Sequence, residues 1–226
     1  MIEATREAFW SLMDRGGPVM WPLLGLSLIA ATLVLERIWF WTRHASASAR
    51  AEASKLAWLI RNGERDRAKT MVDKSQTLYA EVVEQMLDAD RLSPAVAAEA
   101  VEQQRSRIDR FMPTLSTIIT AAPLLGILGT VIGIIASFEL LSDSGAVTDP
   151  RAVSAGIAEA LITTAAGLVV AIVVLFPFNA FRAQVDRALG RMETLMAAAE
   201  EDGAGDHSGT ERATSHEPAP GADDVG

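Results

Sequence analysis

Uncharged apolar blocks at 16–35, 111–138 and 160–181 alternate with charge-rich sequence along this chain. About 20 apolar residues cross a bilayer as a helix, at ~1.5 Å of rise each. Each block reaches that length. The pattern therefore predicts an all-α integral membrane protein: three transmembrane helices with long cytoplasmic helical extensions.

The blocks differ in texture. The first is rich in Leu, Ile and Val, with Trp21 near one boundary and Trp39 and Trp41 near the other. Indoles settle at membrane–water interfaces, so this helix reads as lipid-facing, with Glu36 and Arg37 reaching headgroups or neighbouring helices. The second block is small and polar. Gly126, Gly129 and Gly133 thin it, and Thr114, Ser116, Thr117, Thr120, Thr130 and Ser137 add hydroxyls. Small residues let membrane helices approach closely, and hydroxyls bond across them. This helix is built to touch protein.

The sequence between the first two blocks reads as helical. Asn62-Gly63 marks a turn, a helix is expected over 77–90, and Ser93 can cap a helix whose first position is Pro94. No clear stop follows, so one helix from Pro94 to Leu141 is expected, on the order of 70 Å long. Pro113 and Pro123 are expected to bend it, not end it. The third helix should likewise run on to Ala199, with Gly190 as its one breaker.

Charge sets the orientation. Arg43, Arg50, Lys55, Arg61, Arg65, Arg67 and Lys69 follow the first crossing, and Arg105, Arg107 and Arg110 precede the second. Arg182, Arg187 and Arg191 follow the third, whereas the connection SDSGAVTD has no cation. The positive-inside rule then places the amino terminus and that connection outside, and the basic segments inside. The expected organisation is an amphipathic periplasmic segment at 1–15, a first transmembrane helix at 16–42 and a cytoplasmic helical region at 43–110. A second transmembrane helix at 111–141, a periplasmic connection at 142–151 and a third transmembrane helix at 152–181 follow. A cytoplasmic extension at 182–199 leads into an acidic tail at 200–226, too poor in large apolar residues to fold. Segment 1–15 lacks the basic start and uncharged core of a signal peptide.

Composition adds exclusions. With no cysteine, thiolate chemistry and disulfides are absent. The net charge of -9 gives no support for nucleic-acid binding. No nucleotide loop or metal constellation is evident; His207 and His216 lie scattered in the tail, and His44 near the inner interface. The chain does not read as an enzyme, and no cofactor is expected.

Polar groups within a span are the candidates for function, because lipid penalises them. Thr130, Thr163 and Thr164 approach a common mid-membrane depth, with Glu159 about a turn further out. On a helical wheel Glu159 and Thr163 share a face and Thr164 lies well round. Thr130 shares a stripe with Gly126, Gly133 and Ser137. These groups either line a polar passage or pack helices together, and spacing does not separate the two. Three spans enclose no comfortable lumen, so a pore needs several copies. No Asp, Lys or His is centred in a span, so a proton-handling machine needs a carboxylate from another subunit.

The segment AAPLLGILGTVIGIIASF at 121–138 resembles the second-span signature of the MotA/TolQ/ExbB proton-channel family. The segment IAEALITTAAGLVVAIVVLFPFNAF at 157–181 resembles its third-span signature. The likeness covers roughly 16–195, and the three-span order fits the ExbB/TolQ branch. It implies a proton-driven stator in the bacterial inner membrane, with the proton as coupling ion. A homopentamer would surround two one-span subunits resembling ExbD or TolR, whose membrane aspartate carries the proton. Motion of that assembly would energise a TonB- or TolA-like protein for envelope transport or integrity. By residue, the likeness assigns Thr130 and Thr164 to the pore, Glu159 to the outer end of the third span and Asn179 to its inner end. Thr163, Gly126, Gly133 and Ser137 are left between pore and packing roles. Val173 stands where the family commonly has proline, and Pro177 follows about one turn later.

The alternative reading is a non-conducting membrane scaffold that organises envelope proteins. A motility stator fits less well, since the chain is short and has three apolar blocks. ExbB-like and TolQ-like roles stay open.

Overall fold

The computed structural model describes residues 3, 6, 7, 10, 13, 16–44, 46–89, 94–143 and 150–214. Their regular structure is helical: α1 (Met20–His44), α2 (Ala47–Arg61), α3 (Arg65–Val72), α4 (Leu78–Asp88), α5 (Pro94–Ile108), α6 (Met112–Asp143) and α7 (Pro150–Thr214). Three stretches, within α1, α6 and α7, are long and apolar enough to cross a membrane. The chain divides into two units, one from Met1–Trp41 and Asp109–Ala183, the other from Thr42–Ile108 and Gln184–Gly226.

In the first unit α1 exposes Leu28, Ile29, Leu35, Ile38 and Trp39, as expected of a lipid-facing helix. Its buried stripe is Leu23, Ala30 and Arg37, spaced by two helical turns. Residues 3, 6, 7, 10 and 13 are helical; the rest of the expected surface helix at 1–15 lies outside the described residues. Met13 is buried with Val19, Met20 and Leu23 against Ala122 of α6. This part of the segment is thus anchored by packing.

Pro113 corrects the expected continuous helix from Pro94 to Leu141. The helix stops at Ile108 and restarts at Met112, with Phe111 between them in the left-handed region at φ 69°. A proline ring clashes with the carbonyl four residues back, here Asp109, which kinks or breaks a helix, and here the helix breaks. In the first turn of a new helix the same proline is tolerated. Met112 N instead donates to Asp109 O at 3.0 Å, a tight turn. Pro123 and Pro177 do lie inside their helices.

The second unit is assembled from short, well-capped helices. Ser46 Oγ and Thr77 Oγ1 accept from first-turn amides of α2 and α4, those of the third residues Ala49 and Ala80, each at 3.1 Å. At the Asn62-Gly63 turn Gly63 has φ 70°, Glu64 N donates to Leu59 O and Gly63 N to Ile60 O. That pair of bonds is the Schellman stop, which needs the left-handed residue that glycine supplies without strain. The expected Ser93 cap and the tip of the periplasmic connection, 144–149, lie outside the described residues. Leu56, Ile60, Leu78, Val82, Val83, Met86, Ile108, Met192 and Leu195 are buried. The far part of α7 joins this unit through Arg61–Glu201 at 2.6 Å and Arg191 Nη1 donating to Tyr79 Oη at 3.3 Å.

Helix α7 is unbroken from the third apolar block through Thr214. It passes residue 200, where composition predicts a disordered tail; residues 215–226 lie outside the described ones.

Candidate functional site between the second and third membrane helices

Glycine decides how α6 and α7 meet. A Cβ on Gly126 would lie 2.9 Å from Thr164 Cα and 3.2 Å from Thr163 O. One on Gly133 would lie 2.8 Å from Ala160 Cβ. On the other helix, a Cβ on Gly167 would fall on Ala122 O, and one on Gly156 on Ser137 Oγ. The two backbones are therefore in van der Waals contact along an antiparallel seam. Side chains larger than hydrogen at these points would push it apart.

Threonine and serine complete the seam. Thr164 Oγ1 donates to Gly126 O at 2.8 Å across the helix pair. Ser137 Oγ donates to Gly133 O at 2.8 Å within α6. Thr130 Oγ1 donates to Ile127 O at 2.6 Å, also within its own helix. In the register of the seam Gly126 stands opposite Thr164, so Thr130, four residues on, lies about 6 Å along the helix axis from that level. Each hydroxyl spends its hydrogen on a carbonyl and keeps lone pairs that can accept from a water or a carboxylic acid.

Thr163 points elsewhere. It is 1% exposed, and its Oγ1 lies 2.8 Å from Gly16 O and 3.1 Å from Glu159 O. With Glu159 it lines a cavity of about 540 Å³ bounded by Gly16, Pro18, Val19, Gly133 and Ser137, among others. Of the residues singled out in the sequence, this cavity gathers Glu159, Thr163, Gly129, Gly133 and Ser137. Thr130, Thr164 and Gly126 do not line it, and Asn179 is exposed further along α7. The 100° step between Thr163 and Thr164 separates an inward-packed hydroxyl from a seam hydroxyl. Among the described residues no cluster of His, Cys, Asp or Glu has a metal-binding arrangement.

One contribution is not legible in the sequence, and a second is legible only in outline. Gly16 and Gly17 open the first apolar block, but their contacts with Thr163 and Glu159 are tertiary. Arg37 is 1% exposed, held by Glu36 at 2.7 Å and stacked over the rings of Phe40 and Phe111. The sequence leaves Arg37 between headgroups and neighbouring helices, and its stacking over Phe111, next to the start of α6, favours the second.

The model of the MotA/TolQ/ExbB proton channel family matches residues 66–194, a stretch that contains the whole seam and Glu159. The chain belongs to this family. An ExbB-like biopolymer transport protein of Synechocystis is 35% identical over 172 residues, covering 74% of this chain and 81% of that protein. A second ExbB-like protein of Synechocystis is 37% identical, covering 73% and 67%. The Tol-Pal system protein TolQ of Pseudomonas aeruginosa is 35% identical over 112 residues, 48% of each chain. The chain is thus a MotA/TolQ/ExbB protein with three apolar helices, on the ExbB/TolQ side of the family. The family match does not reach Gly16, Pro18 and Val19, just ahead of α1, which supply part of the cavity wall.

Proposed function

We propose that this chain is the multi-copy subunit of a proton-motive-force-driven stator in the bacterial inner membrane. It surrounds an ExbD- or TolR-like one-span partner as a homopentamer and energises a TonB- or TolA-like protein. The observation that carries this reading is the paired α6–α7 seam. It sets Thr130 and Thr164 about one helical turn apart, in spans where no residue between 112 and 138 or between 160 and 181 titrates. Hydroxyls can relay a hydrogen bond but do not store a proton, so the carrier carboxylate comes from the partner. Glu159, at the outer end of the third span, meets the proton before or after that carboxylate. The amino terminus is periplasmic and the carboxyl end cytoplasmic, in line with the cations that follow α1 and precede α6.

Co-purification with the one-span partner and reconstitution in vesicles tests the proposal. A proton gradient is imposed and uptake is followed with a pH-sensitive dye. Uptake is expected to require the partner's membrane carboxylate and to vanish when that carboxylate is replaced by an amide. Envelope work that persists unchanged after the same replacement favours the non-conducting scaffold. A tag at Ser144 should be reached from the periplasm and one after Glu201 from the cytoplasm; the reverse at both overturns the orientation.

A further inference from the structure

The cavity beside Glu159 has a wall that comes from neither α6 nor α7. Residues 16–19 form a turn that leads directly into α1, with Met20 N donating to Gly17 O at 3.1 Å and Leu23 N to Val19 O at 3.3 Å. Gly16 is buried, and its carbonyl accepts from Thr163 at 2.8 Å. Gly17 has φ +66°, and a Cβ there would fall on Glu159 Oε1 and lie 3.2 Å from its carboxyl carbon. Behind the turn Val19, Met20 and Leu23 are buried against Ala122, so it cannot retreat freely.

We infer that this turn is a strap that positions the Glu159 carboxyl group, with Gly17 and Thr163 as its positioning residues. Gly17 serves twice. Its backbone takes a left-handed conformation that L side chains rarely adopt, and its missing side chain leaves the space the carboxylate occupies. Thr163 pins the strap from one turn below Glu159 on the same helix face, so strap and carboxylate are held to one element. The turn ahead of the first membrane helix thereby contributes to the site through its backbone, not through a polar side chain. The inference rests on the reading of Glu159 as part of the proton path only for its effect on activity.

The test uses the full complex with its partner in native membranes. A membrane-soluble carbodiimide is the probe. The carboxyl O–H adds across one C=N bond, and the acyl group then migrates to nitrogen, leaving a stable adduct with no atom lost. The rate of adduct formation at Glu159 is read by mass spectrometry in complexes of equal assembly. Gly17→Ala is expected to change that rate several-fold, while Gly25→Ala, where a Cβ meets nothing within 4 Å, leaves it at the wild-type value. Thr163→Val is expected to change the rate as well and Thr163→Ser, which keeps the hydroxyl, to restore it. The threonine pair decides the matter if Gly17→Ala does not assemble. A wild-type labelling rate in assembled Gly17→Ala, or in Thr163→Val, overturns the strap. Altered labelling with unaltered proton uptake upholds the strap and removes Glu159 from the proton path. Unaltered labelling together with loss of uptake in Glu159→Gln does the reverse.

Discussion

The helices of the two units are held together by opposite means. In the second unit, contact is made by large side chains: Leu56, Ile60, Val82, Val83 and Met86 are all essentially inaccessible. In the first, α6 and α7 meet through Gly126, Gly133, Gly156 and Gly167, while Leu124, Ile127, Leu128, Val131 and Phe138 are exposed. The solvent explains the inversion. Water drives apolar side chains inward at about 25 cal/mol per Å². Lipid does not distinguish Leu in a core from Leu in a tail, so membrane helices gain by backbone proximity and by hydroxyl bonds. At the α6–α7 seam the residue types therefore change place: leucines such as Leu124 and Leu128 face outward and glycines form the contact, whereas in the second unit leucines are buried and Gly63 makes a turn.

The comparison breaks first at Gly167. Leucine there would drive a whole side chain into the Ala122 carbonyl, where even a Cβ does not fit. Because the obstacle is backbone, repacking a rotamer cannot relieve it, and overpacking of this kind exceeds the usual ~1–3 kcal/mol. No assembled protein should be extractable from membranes expressing Gly167→Leu. Wild-type amounts of a monodisperse complex would mean that α6 and α7 are not in backbone contact.

Met86→Ala probes the other unit. Met86 is fully buried on α4, and removing it leaves a cavity worth about 2–5 kcal/mol. Hydrogen exchange in the intact complex should show loss of protection along α4 and its neighbours α3 and α5, with α6 near the seam unchanged. Unchanged protection on α4 would show that side-chain burial does not hold this unit.

How far these two packing modes were legible follows from what each depends on. The three spans and the Gly63 turn depend on local pattern, and the chain spells them out. The small residues of α6 announced close packing, but not which of them meets which residue of α7. The wheel put Thr163 with Glu159, and both line one cavity; the lone pairing of Thr164 with Gly126 O needed the register of two helices 38 residues apart. Pro113 was misjudged because a proline's effect depends on whether the helix before it continues. Here the left-handed Phe111 absorbs the break, and Arg37 from α1 lies over its ring. The cavity wall at 16–19 was invisible, since its chemistry resides in a carbonyl and a missing side chain.

Thr164→Val sharpens the comparison at smaller scale. It removes one interhelical bond, to Gly126 O, and keeps the shape of the side chain. Such bonds are worth about 0.6 kcal/mol in membrane helices, because the unassembled helices in the membrane also find partners for these groups. Assembly should therefore survive. Proton-driven activity should fall strongly in Thr164→Val, and equally in Thr130→Val, if these hydroxyls also accept from the partner's carboxyl. Full activity of both at equal complex levels would leave them a packing role.

The smallest effect carries the opposite sign. Gly190 lies exposed within α7 in the second unit, and a Cβ there meets nothing within 4 Å. Its φ is not in the left-handed region, so alanine adopts the helix without strain. Glycine in a helix interior costs roughly 0.5–1 kcal/mol relative to alanine, because the unfolded backbone has more freedom to lose. Gly190→Ala should therefore stabilise the helix by about that amount, raising amide protection around 190 by roughly two- to five-fold. Gly126→Ala makes the same chemical change and should destabilise, since its Cβ would meet Thr164 Cα at 2.9 Å. The pair separates helix propensity, which acts alike at both sites, from interhelical contact, present at one. Destabilisation by both substitutions would show that the part of α7 around 190 has a packed face of its own, and stabilisation by both would remove the backbone seam.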